Sequence, residues 1–75
     1  MAAAGNKIEE LEERTFEGLD QLRVLDLDRN QIYVIDARAF AAVPALRSLR
    51  LAGNNIQVVY EDTFLSVPNL QVNSR

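Results

Sequence analysis

The chain predicts an α/β solenoid of about three turns, a fold in which each unit stacks on the next because none can bury its apolar face alone. Asparagines at 6, 30 and 54 recur at a fixed 24-residue interval. Five apolar columns keep the same interval: Ile8, Ile32 and Ile56; Leu11, Ile35 and Val59; Phe16, Phe40 and Phe64; Leu19, Val43 and Val67; Leu22, Leu46 and Leu70. A length of 75 residues allows one small domain, so the whole chain is taken up by this repetition. The units fall at about 1–21, 22–45 and 46–69, with a partial strand at 70–75.

In the first unit, Met1 to Ala4 stand one period before Leu25 and Leu27 and offer weak strand formers in place of leucines. The second unit is the clearest. Leu25 and Leu27 alternate with Val24, Asp26 and Asp28, the period of a half-buried strand, which predicts a short strand near 24 to 28. Asn30 ends it, since asparagine tolerates turn conformations and its amide can bond backbone groups at a tight corner. Ile32 and Ile35, then Phe40 and Val43, are spaced by three, which suits irregular or short helical turns with one side buried. The third unit, from Leu46, superposes on the second without a gap. Two periods beyond Leu25 stands the polar Asn73, and the sequence stops at Arg75 before a last strand and corner are complete.

Composition removes several functions. The apolar share of 48% with 25% charged residues is that of a globular chain. Eleven acids against eight bases, a formal charge of −3, disfavour nucleic acid as a partner and give a mild preference for basic ones. With neither cysteine nor histidine, the chain lacks disulfides, thiolate metal sites, a Cys nucleophile and the usual general base. No cofactor or metal is expected. Glu9, Glu10, Glu12 and Glu13 flank buried positions on an extended stretch and do not form the turn-rich loop that a calcium site needs. Gly5, Gly18 and Gly53 are isolated and make no phosphate loop. The N-terminus has no signal-peptide pattern and no segment has the length of a membrane span, so neither export nor membrane insertion is expected from the residues alone.

Read from Leu22 and again from Leu46, the pattern L-x-x-L-x-L-x-x-N-x-I-x-x-I/V-x-x-x-x-F-x-x-V resembles the leucine-rich repeat family. The 24-residue length and the Phe column are similar to the typical variety of animal receptors, matrix proteoglycans and axon-guidance proteins, over about Asn6 to Val72. The resemblance implies a right-handed coil, short parallel strands on a concave face, loops or short helical turns on a convex one, and a protein-interaction module rather than an enzyme. It also implies an extracellular or cell-surface setting. Extracellular members usually close their ends with cysteine-rich caps, which this chain lacks. A truncated or engineered segment capable of end-to-end self-association is therefore the alternative expectation.

On a concave face so defined, the partner-binding candidates are Val24, Asp26 and Asp28, with Arg29 at the edge, then Ser48 and Arg50. Position i lies beside i + 24, which puts Asp26 next to Arg50 as an exposed cross-strand pair of roughly 0.2–1 kcal/mol. Reversing Asp26 and Asp28 to arginine is then expected to abolish binding while changing stability by no more than about 0.5 kcal/mol. Asp26 and Asp28 form no acid/base dyad, because a shallow sheet face cannot separate their pKa values. The expected concave strands carry no aromatic anchor. Tyr33 and Tyr60 occupy different columns and belong to no structural ladder.

Overall fold

The computed structural model describes residues 1–57, 59–60 and 62–74. Arg75, the last residue of the expected partial strand, lies outside them.

Among the described residues five short strands form two parallel sheets. β2 (Val24–Asp26), β4 (Ser48–Arg50) and β5 (Gln71–Asn73) make a three-stranded sheet in the order β2-β4-β5, and β1 (Glu10–Leu11) pairs with β3 (Val34–Ile35) in a second. Val24, Leu25 and Asp26 face Ser48, Leu49 and Arg50, an offset of one full period, so the repeat in the sequence becomes strand register directly. The ladder continues past the strand ends, where Leu27 N donates to Arg50 O (2.8 Å) and Arg29 N to Ala52 O (2.7 Å). At the N-terminal side Ala2 makes a single bridge to Asp26, as the weak strand formers there predict.

Two expectations are corrected. The offset between β4 and β5 falls one short of the period, so Val72 and not Asn73 faces Leu49. A full-period offset would have put the Asn73 amide where leucine packs; the shorter one puts an apolar side chain there. The segment after the Asn30 corner is also not helical at first. Val34–Ile35 is extended and pairs with Glu10–Leu11, which buries Ile35 and Leu11 and sends Val34 and Glu10 outward. Helical geometry appears only later, as a 3₁₀ turn at Ala39–Ala42. Asp36 initiates that turn, its Oδ1 accepting Arg38 N at 2.8 Å while its carbonyl accepts Ala39 N at 3.0 Å.

The core lies between the sheets and is deepest in the middle of the chain. Leu25, Leu27, Ile32, Ile35, Phe40, Val43 and Leu49 are fully buried. Each such side chain contributes roughly 1.5–3 kcal/mol by leaving water. Some outer members of the columns are more open: Leu19 and Val59 are exposed and Ile8, Ile56 and Phe64 are half-buried, while Leu11, Phe16 and Val67 stay buried. The three Phe rings stack, with centroids 5.9 Å apart for Phe16–Phe40 and 5.4 Å for Phe40–Phe64.

The asparagine column closes the corners as expected. Asn30 Nδ2 donates to Leu27 O (2.9 Å) and Ala3 O (3.1 Å), and Asn54 Nδ2 to Leu51 O and Leu27 O (both 2.9 Å). Each Oδ1 accepts a backbone N–H one unit back, Ile8 N for Asn30 (3.3 Å) and Ile32 N for Asn54 (3.0 Å). One side chain thus satisfies backbone groups of two units, which explains why this polar residue sits inside the fold.

Candidate functional site

The outer row of the three-stranded sheet is its solvent side. Leu25 and Leu49 point into the core, so Val24 and Asp26 on β2 and Ser48 and Arg50 on β4 point away from it. Val24 is 54% exposed, Arg50 is exposed, and Asp26 and Ser48 are partly so. Gln71 extends the row beside Ser48. A groove of about 460 Å³ runs over Ser48, Arg50, Gln71 and Val72. Of the six residues expected to bind a partner, five therefore reach solvent on or beside this face, Arg29 at its corner.

Asp28 does not. It is 4% exposed, and both its oxygens are engaged: Oδ1 accepts Ala52 N at 2.8 Å and Oδ2 accepts Arg50 Nε at 3.0 Å. Asp26 faces Arg50 in the register, yet the ion pair runs diagonally to Asp28; Asp26 Oδ1 instead accepts Asp28 N at 3.1 Å. The expected Asp26–Arg50 pair is replaced because the Ala52 amide already orients Asp28, leaving one oxygen aimed at Arg50. Burial pushes the Asp28 carboxyl up, but the bonds from Arg50 and Ala52 and the charges of Arg50 and Arg29 outweigh it and hold the pKa below the usual 3.8. The expectation that reversing Asp26 and Asp28 together leaves stability untouched fails on this burial.

Arg29 sits at the corner with φ 56°, and the residues one period away, Gly5 and Gly53, have φ 73° and 74°. The corner thus requires the left-handed region in every unit, and Arg29 is the side chain that enters it at a steric cost. A Cβ on Gly53 would stand 3.3 Å from Arg29 Cγ, so the small residue in one unit makes room for the long one in the other.

Two further basic residues belong to this region that sequence reasoning did not single out. Arg23 and Arg47 precede β2 and β4 in the same column, both exposed, with Arg47 N bonded to Arg23 O at 2.8 Å. Their spacing of one period was visible in the sequence; without a structure, nothing showed that they flank the sheet's rim. Among the described residues the acid–base contacts are Arg50–Asp28, Arg38–Glu13 and Arg38–Asp36, so Arg23, Arg29 and Arg47 take part in none.

The opposite side is acidic. A groove of about 450 Å³ over the second sheet is lined by Glu10, Glu12, Asp36 and Asp62 with Val34 and Tyr60. Tyr33 Oη donates to Glu10 Oε1 at 2.8 Å, and this bond, with the charges of Glu10 and Glu9, raises the phenol above its usual 10.0. Among the described residues no three His, Cys, Asp or Glu side chains gather as a metal site, and no helix is long and apolar enough to cross a membrane.

No curated protein matches the chain. The family model described as leucine rich repeat matches residues 4–56, more than half of the sequence and the stretch that holds the asparagine corners and the β2–β4 pair. The chain belongs to the leucine-rich repeat family.

Proposed function

We propose that the chain recognises a partner protein through the outer row of its three-stranded sheet, as the concave face of a right-handed solenoid of about three turns built from repeats of the 24-residue variety. Leucine-rich repeat domains generally mediate protein–protein contacts and are typically not enzymes. The observation that carries the reading is the row itself. Val24, Asp26, Ser48, Arg50 and Gln71 lie side by side on a hydrogen-bonded sheet, exposed or partly so, while the residues between them are locked into the core. A rigid sheet positions such side chains at little ordering cost on binding. The resemblance to repeats of receptors and matrix proteins favours a setting outside the cell.

Selection of binders from a displayed peptide library, followed by amide hydrogen exchange of each complex, tests this reading. Protection at 24–26, 48–50 and 71–73 is expected. Binders that protect 9–17 and 33–42 instead would move the function to the acidic side.

Stacking of one copy on another is a second reading, favoured by the exposure of Val59 (54%), Leu65 (76%) and Val72 (44%). Sedimentation velocity over a wide concentration range separates the two, because a recognition module stays monomeric and a stacking unit grows.

A further inference from the structure

We infer that the partner segment taken by this face is acidic: an extended peptide whose carboxylates meet Arg29 and Arg50 at one rim of the sheet and Arg23 and Arg47 at the other. The inference rests on the sheet being the binding face and adds the chemistry of what it binds.

Net charge conceals how the fold sorts its charges. The two segments that carry strands and corners, 23–29 and 47–53, hold four arginines against two aspartates, a balance of +2. The remaining segments, 7–22, 31–46 and 55–70, hold Lys7, Arg14 and Arg38 against nine acids, a balance of −6. The sheet is therefore basic on a molecule that is acidic as a whole. This reverses the preference for basic partners that the total charge of −3 suggested.

Three local features make the basic face more than a count. Buried Asp28 fixes Arg50 by its Nε, so the guanidinium is oriented before any partner arrives. Arg29, next to Asp28 in the chain, brings a second positive charge to a corner whose one buried carboxylate already pairs with Arg50. Arg29 also occupies a left-handed position that holds glycine in both other units, and strain held at an exposed residue points to function. Arg23 and Arg47, which precede neighbouring strands and form no ion pair among the described residues, are like charges one period apart, an arrangement that an incoming carboxylate relieves.

The spacing favours a peptide over a polyanion. Apolar Val24 and the amide of Gln71 lie between the arginine pairs, and Asp26 interrupts the field. A sulfated or phosphorylated polymer needs closely set cations and makes no use of a valine. A segment that mixes glutamate with aliphatic residues uses both.

The test is a titration of the ¹⁵N-labelled chain with a peptide of Glu-Ser-Leu repeats and with its counterpart carrying lysine for glutamate, at low and high salt. The acidic peptide is expected to shift the amides of Val24, Ser48, Arg50 and Gln71, and to lose affinity as salt rises. Arg29→Gly is expected to melt at a higher temperature, so it stays folded, and to bind the acidic peptide about tenfold more weakly. Arg47→Gln is expected to weaken it similarly. Preferential binding of the basic peptide at these same amides would overturn the acidic partner and leave the face itself standing. Shifts confined to Glu10, Val34 and Tyr60 would overturn both. Shifts that appear with protein concentration alone would assign the face to the acidic side of a second copy, and no shift with either peptide, or full affinity in Arg29→Gly, would also end the proposal.

Discussion

Arg50 Nε lies 3.0 Å from Asp28 Oδ2, across one step of the sheet and diagonal to the register that sets Arg50 opposite Asp26. The diagonal arises because Asp28 is held twice. Its other oxygen takes the Ala52 amide at 2.8 Å, continuing the link between β2 and β4 past the point where the strands end. A carboxylate on an outward position thereby becomes part of the framework and carries an arginine with it.

The two aspartates should consequently behave differently. Asp28→Asn keeps an acceptor for Ala52 but removes the charge beside Arg50, and is expected to lower the melting temperature more than Asp26→Asn. The pH dependence has a definite sign. The folded pKa of Asp28 is depressed, so its contribution is fully present above the unfolded value of about 3.9 and disappears as pH falls through the folded value. Asp36, whose carboxyl is lowered by hydrogen bonds from Arg38, acts in the same window. Thermal melts between neutral pH and the acid limit should show wild type losing stability below about pH 4, with a smaller loss in Asp28→Asn. An unchanged acid slope in that variant would mean that the Arg50 bond contributes nothing.

How much of this was legible in the sequence follows from which forces are periodic. The register of β2 on β4, the asparagine corners and the stacked Phe rings all keep the sequence period, and each was readable because packing of like on like selects the same residue in each unit. The shortened offset before β5 was not readable, since it depends on whether Val72 or Asn73 is the better neighbour for Leu49, a choice made only once the sheet exists. The pairing of Glu10–Leu11 with Val34–Ile35 was missed for a related reason: apolar residues spaced by three fit a short helical turn as well as an extended segment. At the candidate face the exposed row was deduced correctly from alternation, while the burial of Asp28 was not. Alternation says which way a side chain points and nothing about a neighbouring amide that folds it back.

Phe40 lies between Phe16 and Phe64 and is wholly buried, touching a ring on each side. Phe40→Ala removes both contacts and leaves a void that the stacked units cannot close, at a cost of about 3–5 kcal/mol. Domains of this size have total stabilities not far above that figure, roughly 5 kcal/mol at the low end. Circular dichroism melts should accordingly show no cooperative transition for Phe40→Ala. Phe40→Leu, which keeps most of the apolar volume, should retain one at a lower temperature. A cooperative melt in the alanine variant would remove the Phe column from the core.

Thr63 presents the opposite case, a polar group in a place made for an apolar one. It is 1% exposed, and among the described residues its Oγ1 has no hydrogen-bond partner. One period back the position is Ala39, also fully buried, and two periods back it is Thr15, whose Oγ1 accepts Glu12 N at 2.7 Å. The hydroxyl at 63 therefore loses its bonds to water on folding without recovering one, which costs about 1–3 kcal/mol. Thr63→Val keeps the branched shape and deletes that cost, so the variant is expected to gain about 1 kcal/mol, raising the melting temperature by about 4–8 °C. Binding at the sheet should not change, because Thr63 belongs to none of the residues of that face. A lower melting temperature in Thr63→Val would show that the hydroxyl has a partner, and Thr63→Ser would then recover the lost stability where valine could not.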